Sequence, residues 1–387
     1  MSRSLATLRG LALGAAVALL AAAPAARADD KKPRPADIDV VLCLDVSNSM
    51  DGLIASAKVK LWDIVNDLGK VKPAPNLRVG LYSYGHNNYP AARGWVRKEL
   101  DLTTDLDSVY QKLNGLTTFG GEEYVARVCR DAISEQKWSE DKKSLKMIFV
   151  CGNEPANQDR QVHLKDVAQM ALKKDIVINT IYCGPGNHPE AQGWREFAVM
   201  AEGRFASIDQ QGGTVAIATP QDKKLAELSG KLNTTYVAYG KEQMRREKAA
   251  NQAAQDANAS KLPGAAGGSA AATRAVSKGG ALYRNSDWDL VDRLIDDPKF
   301  DITKVPEKEL CDELRKLKPE ERVKYVKDQL EKRRGIQKEI MQLSKERDEY
   351  LKKESKKNAK KGDKAFDEAV RGTLREQAAR KGLTIPE

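Results

Sequence analysis

The stretch that most constrains this chain runs from Ile38 to Met50, IDVVLCLDVSNSM. Its first part, Ile38 to Leu44, is an apolar run of strand length, broken only by Asp39. A run of this kind suggests a strand buried on both faces, as at the centre of a parallel sheet. It stops at Asp45, and two hydroxyls follow at alternate positions, Ser47 and Ser49. In open α/β sheets ligands bind beyond the carboxyl ends of the strands. An Asp with two spaced hydroxyls offers a hard cation three oxygen ligands from one loop. The alternative is a helix cap, in which the hydroxyls close the helix that follows at 52–68 and Asp45 bonds backbone amides.

From Asp37 to Asn233 strand-like and helix-like segments alternate. Apolar strands are expected at 77–84, 146–151, 176–183 and 203–209, with a more open edge strand at 95–102, and amphipathic helices lie between them. That order predicts an α/β fold with a doubly wound, mostly parallel sheet and helices on both faces. The chain divides into residues 1–28 as a signal peptide, 29–36 as a leader and 37–240 as the α/β domain. A helical extension at 241–262, a Gly/Ala-rich linker at 263–280 and a charged α-helical C-terminal region at 281–387 complete it. Within the last, 319–355 steps its apolar residues by three or four, as a short coiled coil does, with Arg333, Arg334 and Gly335 interrupting the seam. A hairpin turning near Gly335, or a single helix leaning on its own domain, fits the same pattern. Residues 356–387 carry no pattern that demands packing.

The signal-peptide reading rests on Arg3 and Arg9, the Ala/Leu-rich stretch 11–23 and the small residues around Arg27. It implies export to the periplasm or beyond, with cleavage before Asp29. The apolar stretch is too short for a membrane span. Net charge is +10, and losing Arg3, Arg9 and Arg27 leaves +7, all of it from residues 241–387, which carry +8 against −1 for 29–240. The charges of that tail alternate in sign, which marks a solvated face and argues against specific binding to nucleic acid or an anionic surface. Five cysteines leave at least one thiol unpaired. A Cys151–Cys183 bridge is one reading, and small buried hydrophobes the favoured one.

The Asp-x-Ser-x-Ser spacing of Asp45, Ser47 and Ser49 resembles the metal-ion-dependent adhesion site of von Willebrand factor A domains. RVGLYSY resembles the second strand of those domains, Gly120-Gly121 the glycines before their third ligand loop, and FVCGNEP the end of their fourth strand. The wording CGNEP, NTIYCG and LNTTYVAYG is similar to a group of exported bacterial A-domain proteins. The resemblance implies a divalent cation, Mg²⁺ in preference to Ca²⁺, held by Asp45, Ser47 and Ser49 with Glu122 and Asn153 in substituted positions. Where the family has a threonine this chain has Glu122, and where it has a second aspartate this chain has Gly152, with Asn153, Glu154 and Asp159 beyond. A carboxylate in place of a hydroxyl would neutralise more of the cation and lessen its demand for an acidic partner.

The expected function is recognition of another protein through the metal face, with the C-terminal helix as a route to self-association and no catalytic residue assigned. The rivals are a metal-dependent envelope hydrolase and a structural protein acting through its tail. Against the hydrolase stand the scarcity of a general base and the spacing of the three histidines, His86, His163 and His188, which match no zinc motif.

Overall fold

The structure is a computed structural model, and it describes residues 36–208, 217–260, 264–358 and 364–386. The expected signal peptide and leader, apart from Ala36, lie outside the described residues. Six strands form one sheet: β1 (Asp37–Asp45), β2 (Asn76–Tyr84), β3 (Val96–Thr103), β4 (Leu145–Gly152), β5 (Ile176–Tyr182) and β6 (Phe205–Ser207). Their order is β3-β2-β1-β4-β5-β6, parallel except for edge strand β3. The strand order therefore reverses between β1 and β4. Every residue of β1 after Asp37 is buried, as a strand covered on both faces must be.

Alternation along β1 feeds two cores. Val40, Leu42 and Leu44 face α1 (Ile54–Leu68) and α2 (Leu106–Gly115). Val41 and Cys43 face α3 (Val125–Glu135), α4 (Leu164–Lys173) and α5 (Ala191–Met200). Two more helices, α6 (Asp222–Asn233) and α7 (Glu242–Ser260), lead into the C-terminal part.

There the structure departs from the composition. The stretch expected as a Gly/Ala linker is α8 (Gly264–Gly279), packed against α6. Alanine is the strongest helix former, and small side chains let neighbouring helices close in. A Cβ on Gly279 would stand 2.7 Å from Cγ2 of Ile340. Buried charges fix this helix in place: Arg274 pairs with Asp107 of α2 and Asp256 of α7, and Lys278 reaches the same Asp256 at 2.7 Å.

After α9 (Leu290–Asp296) and α10 (Asp312–Arg315), α11 runs unbroken from Pro319 to Asn358. It does not turn at Gly335, and among the described residues its apolar positions pack on the chain's own helices and not on a coiled-coil partner. Val326 and Ile340 are buried against the chain's own domain. Arg333, which breaks the apolar repeat, is buried with its guanidinium on Asp289 (2.5 Å), Asp292 (2.8 Å) and the Thr235 carbonyl (2.8 Å). The final helix α12 (Lys364–Ala379) sets Val370, Leu374 and Ala378 into the same core as β1, and Gln377 exchanges two amide hydrogen bonds with Asn179 of β5. Thus residues 370–383 do pack: the i, i+4, i+8 stripe of Val370, Leu374 and Ala378 is narrow, and the charges around it hide it. Among the described residues no helix is long and apolar enough to cross a membrane.

Candidate metal centre

Asp45 ends β1 beside the point where the strand order reverses, and β4 places Cys151 opposite Leu44, so Gly152 comes alongside Asp45. The carboxylate is buried. Its Oδ1 accepts the Ser47 amide at 2.8 Å, whereas its Oδ2 is buried and has no donor. The hydroxyls of Ser47 and Ser49 lie 2.9 Å apart. Ser49 donates to Oδ1 of Asn153 at 3.0 Å, and the Asn153 amide donates back to the Ser49 carbonyl at 3.2 Å. Neither serine caps a helix: the short turn at Asn48–Met50 and α1 both begin without a side-chain cap. The serine half of the capping alternative is therefore not seen, whereas its other half, Asp45 bonded to a backbone amide, is met by the Ser47 N–H.

The four expected ligands Asp45, Ser47, Ser49 and Asn153 come together, and Glu122 does not. Glu122 is exposed, while the next residue, Glu123, is buried against the Ser47 hydroxyl, with Gln158 at 3.5 Å. Glycine backbone makes the room. A Cβ on Gly85, whose φ is +83°, would lie 2.9 Å from Oδ1 of Asp45 and 3.1 Å from Cγ of Glu123. Gly152 leaves no space for the aspartate that the resemblance leads one to expect. A Cβ there would meet Tyr84 Oη at 2.5 Å and Asp45 Oδ2 at 3.0 Å. Asp159 is committed elsewhere, in a buried two-bond pair with Arg127, both bonds 2.8 Å. Thr118 donates to Asp51, and Thr117 is exposed.

Burial pushes the Asp45 carboxyl up to about 8, and the negative charge of Glu123 adds to it. Burial likewise raises Glu123 to about 7, with Glu154 and Glu122 adding to it, while the Ser47 hydroxyl pulls the other way. These are acidic oxygens crowded together in a poorly solvated place, and the orphaned Oδ2 is aimed at no donor. Such a donor set suits a hard divalent cation, which would take the place of the protons. Ser49 is exposed and Asn153 half-buried, so one side opens to solvent. On that rim Phe119 is 48% exposed. Its ring lies 5.3 Å from His86, which stacks on Tyr89, and its backbone is held by Val46 at 3.0 Å and Asn87 at 3.1 Å.

Residues 39–221 match the von Willebrand factor type A domain family. The chain carries a von Willebrand factor A domain. No curated protein matched the sequence. Among solved structures the A domain is similar to proximal thread matrix protein 1 from the mussel byssus, in a structure with a zinc-occupied MIDAS motif. That likeness is 13% identity and TM-score 0.35, covering 46% of this chain and 43% of that one, so this chain spans less than half of its length. An aerotolerance-related membrane protein from Bacteroides fragilis is similar at 15% identity and TM-score 0.34, covering 44% and 92%. The pilus adhesin SpaC from Lactobacillus rhamnosus GG is similar at 12% identity and TM-score 0.35, covering 47% and 29%. The chain's A domain keeps the Asp-x-Ser-x-Ser loop and departs from the resemblance at Glu122 and Gly152, with Glu123 rather than Glu122 buried beside the loop.

Proposed function

We propose that this protein recognises another protein through a divalent cation held at the carboxyl end of its sheet, by Asp45, Ser47, Ser49, Glu123 and Asn153. The observation that carries the reading is the buried, donorless Oδ2 of Asp45 beside two uncapping serine hydroxyls and a second buried carboxylate. An unpaired polar atom in that position costs stability unless something binds it.

Mg²⁺ is favoured and Ca²⁺ is the alternative, because every donor is oxygen. With two carboxylates close to it the cation is largely neutralised, so the partner need not supply an acid. Exposed Phe119, held by backbone on both sides, gives the partner an aromatic contact at the rim. The protein acts as an exported interaction module and not as an enzyme.

The reading is tested with the chain as produced after export, immobilised in Mg²⁺ or in chelator and offered envelope and culture proteins. Capture that needs Mg²⁺, and that is lost in both Asp45→Ala and Phe119→Ala, supports it. Capture that survives chelator and Asp45→Ala overturns it. Glu123→Thr tests the charge argument separately, since it is expected to raise the preference for acidic partners; an unchanged preference would sink that argument.

A further inference from the structure

A cleft of about 670 Å³ lies at the other end of α1 from the metal loop. The part of α1 before Val65, eleven residues from Ile54, separates the two, about 16 Å at the rise of an α-helix. The cleft forms where the C-terminal helices meet the A domain, between the end of α1, the end of α8, α11 and α12, with Ile385 and Pro386 along one side. Its size falls within the roughly 300–1,000 Å³ of small-molecule sites. Val65, Val276, Leu282, Met341 and Leu374 give it an apolar interior.

Its charge is one-sided. Six basic residues line it, Lys70, Lys72, Arg284, Lys345, Arg371 and Arg375, against two acidic ones, Asp67 and Asp348. Both acids are shared by Lys70 and Arg371. Arg284 lies near Asp292 and Asp296, outside the cleft. Lys72 and Lys345 have no ion pair among the described residues. Nε of Arg375 is buried without an acceptor, its Nη2 reaching only the Pro386 carbonyl at 3.4 Å. An apolar interior with surplus cations and an unsatisfied guanidinium N–H complements an amphiphile with an anionic head.

We propose that this cleft binds a free long-chain monocarboxylate, its chain among Met341, Leu282 and Ile385 and its carboxylate at Arg375 and Lys345. The proposal is independent of the metal, since the cleft shares no residue with the Asp45 loop.

The test is titration calorimetry of the mature full-length chain with hexadecanoate below its aggregation limit, with 1-hexadecanol and phosphatidylglycerol vesicles as the other arms. Saturable 1:1 binding of hexadecanoate is expected, at least tenfold weaker in Met341→Trp, which fills the cleft. A fivefold or greater loss is expected in Arg375→Gln, and hexadecanol should bind at least tenfold more weakly. If Met341→Trp fails to fold, Lys345→Glu at the exposed rim replaces it, with the same fivefold loss expected. Absence of saturable binding, equal binding of alcohol and acid, binding unaffected by these variants, or binding to vesicles alone would each overturn the proposal.

Discussion

Asp45 illustrates how a single side chain couples burial to a ligand. An unfolded aspartate titrates near 4, and in the folded metal-free chain this one holds its proton to about 8. Between those values the folded state binds the additional proton, so this group's contribution to stability is full below about pH 4 and is lost as pH rises through about 8. In chelator Asp45→Asn, neutral throughout, is therefore expected to be the more stable chain at pH 8.5 and to lose that advantage towards pH 4, as read by urea unfolding. A variant with the same pH dependence as wild type would contradict the burial argument. Restoring the family's aspartate at Gly152 has the opposite sign. Its Cβ meets Tyr84 and Trp194, and overpacking of this kind costs about 1–3 kcal/mol, so Gly152→Asp should unfold at lower urea without gaining affinity for metal.

At the scale of elements, the strand and its loop were readable from the sequence because both patterns are local. Six apolar positions among seven, broken only by Asp39, specify a buried strand, and the two alternate serines fall on the loop that follows. The choice between Glu122 and Glu123 was not readable. Adjacent carboxylates on a loop differ only in backbone direction, which here is set by Gly121 packing on the Gly85 carbonyl, 36 residues away in sequence. Composition misled at α8, where small residues that suggest a flexible tether instead build a close helix contact. Arg333 misled for a similar reason: a charge in an apolar seam looks like an interruption until its partners, Asp289 and Asp292, are brought beside it. Breaking such a pair strands two buried carboxylates. Arg333→Ala is expected to cost about 3–5 kcal/mol, and adding Asp289→Asn and Asp292→Asn should recover part of it. An Arg333→Ala chain of wild-type stability in urea would show that α11 is held by its apolar contacts alone.

Over the whole molecule, the described residues form one compact unit in which the C-terminal helices complete the core of the A domain. Val370, Leu374 and Ala378 of α12 belong to the cluster that covers β1. Truncation after residue 240 is thus expected to expose that face and give an aggregating or poorly folded chain, and Leu374→Ala to cost about 2–5 kcal/mol. A soluble 36–240 fragment with a sharp unfolding transition would contradict the shared core. The same architecture dictates that the metal be tested in the full chain.

The most direct test of the central claim is thermal unfolding of that chain, stripped with chelator and titrated with Mg²⁺, Ca²⁺ and Mn²⁺, in wild type and Asp45→Ala. A cation that binds only the folded state, at one hundred times its dissociation constant, stabilises by about 2.7 kcal/mol, a rise of a few degrees in a chain of this size. The account predicts that rise in wild type and none in Asp45→Ala. Equal midpoints with and without metal in the wild-type chain would contradict it.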